Sequence, residues 1–351
     1  MTDHGPLVCT LLAPTLEAFA RALEGGAAAR ADVVELRLDR VADEVVRDPA
    51  ALAALVARAE RPTIAALHGG EGFGTFAGDV PARAEVLRAA ARAGVTYIDV
   101  DERFAAEVGD LGARRILSTH RSASGIEEVD ALARGLDALA EPGRDLVKVV
   151  PPAATAEEGL ALLRWLADRP AEGTIAFCSG DVASFTRLLA PAFGSALVYA
   201  AADDVPGVDL ESAAPGQLRV GHVRDVWGPR TPSRATTLAA VCGRPIAHSA
   251  SPVVHGAALR QAGIDGMLVP VAPAALAAVV AAAADAPAEG PRWGGLSATA
   301  PFKLDALACA DRVLSDAQAV GAANTLAVAG GAWTASNTDA PAVRAALEAA
   351  G

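Results

Sequence analysis

The chain has 351 residues, more than one compact domain usually holds, and its 52% hydrophobic content supplies material for two cores. A formal charge of −12 argues against nonspecific binding to nucleic acid or to an anionic membrane, and leaves room for a local basic pocket that takes an acidic metabolite. Cys9, Cys178, Cys242 and Cys309 share no CxxC spacing, which excludes a zinc ribbon and a disulfide frame and suits reduced thiols. The opening MTDHGPLVCTLLAPTLEAF has no basic segment ahead of an apolar one, so no signal peptide is expected and the expected location is cytoplasmic. The apolar run Ala277–Ala284 is too short to span a bilayer.

In chain order, Leu7–Leu12 reads as a buried strand, followed by a helix through Leu16, Phe19 and Leu23. Asp32–Leu38 is the next strand. Its alternation puts Glu35 and Arg37 on one face, so an apolar strand delivers a charge pair to one place. The structural alternative is an ion pair that neutralises itself inside a barrel. Thr63–Leu67 is a strand running through His68 into HGGEGFGTFAGD. That loop fails the GxxxxGK[ST] template, precedes no clear helix N-terminus, and reads as a mobile loop over a barrel mouth. A helix over Val80–Ala93 and a strand over Tyr97–Val100 follow.

The densest chemistry lies between Arg115 and Val150. Arg115–Leu117 is a strand that ends in Ser118, Thr119 and His120. A helix with Leu132, Leu136 and Leu139 on one face leads to the strand Leu146–Val150, which carries Lys148 in its middle. The flanking valines predict desolvation, which disfavours the charged form and brings a neutral, nucleophilic amine within reach near pH 7. His120 titrates in the same range and can move protons. A lysine and a histidine on neighbouring strand ends are what imine chemistry on a ketone requires. A lysine that snorkels to solvent is the structural alternative.

Gly173–Cys178, a helix around Phe185–Leu189, and Ala196–Tyr199 complete eight strands that alternate with helix or loop over about 200 residues. The expected fold is therefore an α/β protein with a (β/α)8 TIM barrel, whose chemistry sits at the C-terminal strand ends. Glu35, Arg37, His68, His120, Lys148 and Ser179 fall at or near such ends. Arg187, on the helix after the seventh strand, is of the type that clamps a carboxylate, and Gln217 follows a Pro-Gly turn just past the last strand.

Arg219–Thr237 is rich in Gly, Pro and Arg and lacks apolar periodicity, so it reads as a linker. The expected organisation is a barrel over 1–220, a linker over 221–237 and a smaller α/β domain over 238–351. In the last part, Leu238–Cys242 is a strand. Ser251-Pro252 is a helix start with serine as N-cap and proline at the first helical position, and Val254, Ala258 and Leu259 continue its apolar face. Ser249 and Ser251 thus lie beside a helix N-terminus, where a carboxylate is favoured. Met267–Val271 is a strand, followed by an alanine-rich helix, the segment GGLSATAPFKLDAL with Lys303, GAANTLAV with Asn324, and SNTDA with Asn337, Thr338 and Asp339.

These motifs carry two resemblances. VELRLD (Val34–Asp39), STH (Ser118–His120), DLVKVV (Asp145–Val150), the Arg187 segment with FGSALVYA (Phe193–Ala200), and APGQ, in that order over about the first 220 residues, resemble type I 3-dehydroquinate dehydratase. The resemblance implies dehydration of 3-dehydroquinate to 3-dehydroshikimate through a lysine Schiff base, with no metal or organic cofactor. It makes Lys148 the imine-forming lysine, His120 the proton-transfer residue, Arg187 the carboxylate clamp, and Glu35, Arg37 and Gln217 polar contacts to substrate. His68 stands where the family has an arginine, Gly72 aligns with a glutamate (with Glu71 one place off), Ala213 replaces a serine, and Thr186 replaces a serine beside the clamp. Each lost hydroxyl contact weakens binding by about 1 kcal/mol, so weakened activity or an altered substrate is in view.

From Leu238 onward, PIAHSASPVVHG, TAPFK, GAANT and NTD resemble the N-terminal, substrate-binding domain of shikimate dehydrogenase. That resemblance assigns Ser249 and Ser251 to a substrate carboxylate, Thr299 and Asn324 to its hydroxyls, and Lys303 with Asp339 to a catalytic pair. Gly256 replaces an asparagine, and Ser297-Ala298 an Asn-Val. Shikimate dehydrogenases continue into an NADP-binding Rossmann domain, and no matching glycine fingerprint occurs in this sequence. Reduction is therefore expected only where a further domain or chain supplies NADP. The expected partners are the small molecules 3-dehydroquinate, 3-dehydroshikimate and shikimate, with a homodimer allowed and no tie to nucleic acid or membrane. Two alternatives are a Schiff-base aldolase acting on a sugar phosphate and a non-catalytic binding or regulatory module.

Overall fold

The apolar runs of the first part of the chain become strands that pair side by side: β1 (Leu7–Leu12), β2 (Val33–Arg37), β3 (Thr63–Ala66), β4 (Tyr97–Asp101), β5 (Arg114–Ser118), β6 (Leu146–Val149), β7 (Thr174–Ala176) and β8 (Val198–Ala201). They form one sheet in the order β7-β6-β5-β4-β3-β2-β1-β8, parallel throughout. Strands covered on both faces read as near-continuous apolar runs, and this is why they were visible in the sequence. The computed structural model describes residues 7–70, 74–109, 111–119, 122–170, 173–285 and 290–351.

Between β7 and β8 the sheet is bridged rather than laddered. The Ala196 amide donates to the Thr174 carbonyl at 2.8 Å. The Ala176 amide donates to the buried Ser195 hydroxyl at 3.3 Å, and that hydroxyl donates to the Leu197 carbonyl at 2.8 Å. The product is a nearly closed (β/α)8 barrel, as expected.

Local chemistry starts the helices where the chain leaves the strands. Thr15 accepts from the Ala18 amide at the head of the helix Leu16–Glu24, and Thr155 with Glu158 forms a capping box at the head of Ala156–Ala167. The helix Val80–Arg92 is capped by Asp79 and has a proline in its first turn, so the glycine loop does lead into a defined helix N-terminus, contrary to the sequence reading. A second correction concerns the linker. Its first part is the helix Val220–Trp227, which follows β8 as the barrel's eighth helix and buries Val220, Val223, Val226 and Trp227. The three- and four-residue spacing is there, but glycine, histidine and arginine between the apolar positions dilute it. The Trp227 indole donates to the Leu188 carbonyl at 3.0 Å, tying this helix to the one after β7.

The second sheet comprises β9 (Thr237–Cys242), β10 (Gly266–Val271), β11 (Arg292–Ala298), β12 (Arg312–Val313), β13 (Thr325–Ala329) and β14 (Ala332–Ser336), in the order β10-β9-β11-β13-β14-β12. β10, β9 and β11 are parallel, and β13 runs antiparallel to β11 and β14. This unit docks on the barrel through small-residue contacts, one cap, and Arg164 of the barrel helix Ala156–Ala167, which donates to the Asp285 carbonyl and faces its carboxylate at 3.8 Å. The helix Ser251–Gln261 buries Pro252 and Gly256, one turn apart, while Val254 is 62% exposed, so the expected apolar face is not the one used. A Cβ at Gly256 would lie 2.9 Å from the Val226 carbonyl oxygen, so glycine is what permits the two helices this close approach. The Glu157 carboxylate of the barrel accepts from the Ala274 amide at 2.8 Å, just ahead of the helix Leu276–Ala284. Among the described residues no helix is long and apolar enough to cross a membrane.

Candidate active site

Lys148 projects from β6 with its side chain 13% exposed, and its ammonium pairs with the fully buried carboxylate of Asp99 on β4. The Ser118 hydroxyl on the intervening β5 donates to the other Asp99 oxygen at 2.6 Å. Burial alone pushes the Asp99 carboxyl up. The Lys148 charge, the nearby His68 and the two hydrogen bonds outweigh it and hold the group well below the usual carboxylate range. The lysine that the sequence leaves alone among valines is therefore a paired lysine in a three-strand cluster. Lys148 Nζ also lies 4.8 Å from the centroid of the Tyr199 ring on β8.

On the other side of the mouth, Glu35 and Arg37 do share a face of β2, but they do not pair with each other. Arg37 makes a bidentate pair with Asp39, Nε at 2.8 Å and Nη2 at 3.1 Å. Glu35 accepts from the Thr10 hydroxyl of β1 at 2.7 Å, and the Gln217 side-chain amide donates to that hydroxyl at 3.1 Å. Burial raises the Glu35 carboxyl above the ordinary value, against the lowering charges of Lys148 and Arg37. Gln217, a half-buried residue rather than a solvated turn glutamine, also accepts from the Ala213 amide at 3.2 Å. The turn that aims it needs glycine at 216. There φ is +72°, and a Cβ would fall 2.2 Å from the Gly180 carbonyl oxygen.

Arg187 is 2% exposed on the short helix Phe185–Leu189. Its guanidinium stacks on Phe177 at 4.4 Å and gives Nη1 to the Tyr199 carbonyl at 3.3 Å, while Nε is buried without a partner. Burial pulls its pKa down to about 10. Thr186, beside it, accepts from the Cys178 amide at 2.9 Å and donates to the Ala183 carbonyl at 2.7 Å, which pins the end of β7 to the helix that carries the guanidinium. His68 is buried at the end of β3, and Ser179 pairs through its amide with the Pro151 carbonyl at 2.9 Å beyond β7. His120, Glu71 and Gly72 lie outside the described residues.

Asp99, Tyr199 and Thr10 of this cluster escape the sequence reading, which names Asp39 only as part of the VELRLD motif. YIDVD has the same two-residue alternation of charge as VELR, and that signal was available for Asp99.

In the second unit Lys303, Asn324 and Asp339 meet, Thr299 follows β11, and Ser249 and Ser251 lie beyond the end of β9. Lys303 Nζ pairs with Asp339 at 2.6 Å, and the Asn324 amide donates to Asp339 at 2.8 Å and to Thr338 at 2.9 Å. The hydrogen bond from Lys303 holds the Asp339 carboxyl below its ordinary value. Thr299 is tied to the end of β9 by its amide, which donates to the Cys242 carbonyl at 2.9 Å. Ser251 is the first residue of its helix rather than the cap, and its amide donates to the Ser249 hydroxyl at 3.3 Å. Among the described residues no cluster of three or more His, Cys, Asp or Glu is placed to hold a metal.

Residues 7–230 match the type I 3-dehydroquinase family. The chain belongs to that family. Residues 241–326 match the shikimate dehydrogenase substrate binding domain. A 3-dehydroquinate dehydratase of Syntrophobacter fumaroxidans is 30% identical over 55% of this chain and 83% of its own length. A bifunctional 3-dehydroquinate dehydratase/shikimate dehydrogenase of Arabidopsis thaliana is 27% identical over 84% of this chain and 48% of its own length. The chain thus spans about half of that bifunctional relative. A solved 3-dehydroquinate dehydratase from Geobacillus kaustophilus shares the barrel fold with a TM-score of 0.54 at 21% identity, covering 63% of this chain and 88% of that one. The dehydroquinate dehydratase and shikimate dehydrogenase of S. pombe AroM covers 99% of this chain and 67% of its own, with a TM-score of 0.50 at 20% identity.

Proposed function

We propose that the barrel dehydrates 3-dehydroquinate to 3-dehydroshikimate through an imine on Lys148. The observation that carries this reading is the pairing, in one barrel mouth, of a largely buried amine with a buried guanidinium that has an unpartnered nitrogen. The first suits a ketone, the second a carboxylate, and 3-dehydroquinate has both. Lys148, once deprotonated, attacks the C3 carbonyl, and loss of water leaves the imine. The protonated imine draws electrons from the C2–H bond, His120 removes that proton, and the enamine expels the C1 hydroxyl, which takes the proton from His120 and leaves as water. Hydrolysis of the product imine releases 3-dehydroshikimate and frees Lys148. Asp99 holds the amine in place before the reaction and stands beside the positive iminium afterwards, in a site where its charge acts at low dielectric. Arg187 receives the carboxylate, and the Glu35–Thr10–Gln217 chain, with Arg37 and His68, lines the wall that faces the ring hydroxyls.

The same proposal divides the chain into a barrel that runs through the helix Val220–Trp227 and a second unit that begins with β9. In that unit Ser249, Ser251, Thr299 and Asn324 bind shikimate or 3-dehydroshikimate beside the Lys303–Asp339 pair. The match is to a substrate-binding domain, so the reading extends to binding, and no hydride step through NADP is derived.

Borohydride trapping with 3-dehydroquinate, read by intact mass and peptide mapping, tests the imine. A ligand-sized adduct on Lys148 is expected. A folded protein that turns over 3-dehydroquinate with no adduct on Lys148 would sink the mechanism.

A further inference from the structure

Among the described residues, two buried polar atoms in the barrel mouth have no hydrogen-bond partner, Arg187 Nε and Tyr199 Oη. The carboxylate accounts for the first. Nothing yet described uses the second. A hydroxyl buried without a partner is destabilising, and a phenylalanine ring would fill the same space without that penalty. The hydroxyl is also not placed at random. On β8, Tyr199 sits beside Val8 of β1 and Ala201 beside Thr10, so Tyr199 shares the inward face with Thr10. Its ring lies under Lys148 Nζ, 4.8 Å from the centroid, and packs 5.9 Å from Phe177, on which Arg187 stacks. Burial, reinforced by the carboxylates of Glu35 and Asp99, holds the phenol protonated well beyond its ordinary range, so it is a standing donor.

We propose that Tyr199 is a substrate-contacting residue whose hydroxyl donates to the substrate hydroxyl on the carbon next to the imine carbon. This rests on the dehydratase reading. Lys148 fixes the ketone carbon over the Tyr199 ring, and the carboxylate is drawn to Arg187. The polar group of 3-dehydroquinate nearest the imine end is the hydroxyl on C4.

Tyr199→Phe removes one oxygen and keeps the ring. Its kcat/KM for 3-dehydroquinate should fall about tenfold, the cost of one neutral hydrogen bond, mainly through a raised KM. The melting temperature of the ligand-free variant should stay the same or rise, because no contact is lost. A 4-deoxy substrate analogue should be handled equally by wild type and variant. Tyr97→Phe is the control: that hydroxyl accepts from Arg114 at 3.2 Å at the start of β4, so the variant should melt lower and keep its kcat/KM. A Tyr199→Phe protein with wild-type kcat/KM, or with a lowered ligand-free melting temperature, overturns the inference while leaving the dehydratase reading intact. A wild type with neither turnover nor adduct overturns both.

Discussion

Both parts of the chain set a lysine against an aspartate, and the two pairs live in different media. In the barrel, Lys148 and Asp99 are 13% and 0% exposed, whereas Lys303 and Asp339 in the second unit are 41% and 52% exposed. The barrel pair is held by strands, with Ser118 on the strand between them completing the shell of the carboxylate. The second pair joins a turn to the first residue of a helix, Asp339–Ala350, none of whose residues is buried. The same two charges therefore do different work. Inside the barrel neither can be removed without stranding the other in a poorly solvated place, while at the surface water takes over for either partner.

The comparison breaks most sharply at Lys148. Lys148→Ala should lower kcat for 3-dehydroquinate by about 10⁴-fold or more and abolish the borohydride adduct, because the proposed mechanism forms its imine on Lys148. Activity close to wild type would rule out an imine on Lys148. Next in size is Asp99→Asn, which leaves the ammonium without its counter-charge. Denaturant unfolding should show a loss of about 3–5 kcal/mol. The sign with pH follows from the depressed carboxyl of Asp99. Its contribution is complete above the unfolded value near pH 4 and is lost as pH falls toward the folded value. The wild type should thus lose stability with falling pH below about 4 more steeply than Asp99→Asn. Equal slopes would show that Asp99 has no depressed proton affinity in the native state.

A smaller effect is expected where the two units meet. Gly256→Ala places a methyl 2.9 Å from the Val226 carbonyl oxygen and should cost about 1–3 kcal/mol, seen as a lowered melting temperature. An unchanged melting temperature would show that the contact between these helices gives way freely. The smallest change should come from Lys303→Ala. An exposed pair of this kind contributes below about 1 kcal/mol, so the melting curve should barely move while calorimetric binding of shikimate weakens. A large loss of stability instead would mean that the second pair is structural in the same sense as the first.

How well each part could be read from sequence follows the same division. Strand positions in the barrel were readable because strands covered on both faces must be apolar along their length. Alternation put Glu35 and Arg37 on one face, but it could not say that Arg37 pairs with Asp39 and Glu35 with Thr10. Those choices depend on the neighbouring strand and on the turn that follows. The eighth barrel helix reads as a linker because its apolar positions are separated by glycine, histidine and arginine. Only the packing of the folded chain, which buries Val220, Val223, Val226 and Trp227, makes that face recognisable.

The sequence by itself determined the succession of barrel strands and the barrel class, and it named the amine, the guanidinium and the second lysine–aspartate pair as candidates. These rest on local periodicity and on motifs that stay together along the chain. The tertiary structure alone decided which charges meet. Asp99 reaches Lys148 across 49 positions because β4, β5 and β6 are neighbours in the sheet. Thr10 reaches Gln217 across 207 positions because the barrel brings its first strand beside its last. Pairings of that kind depend on strand register and barrel closure, which no local pattern of residues contains.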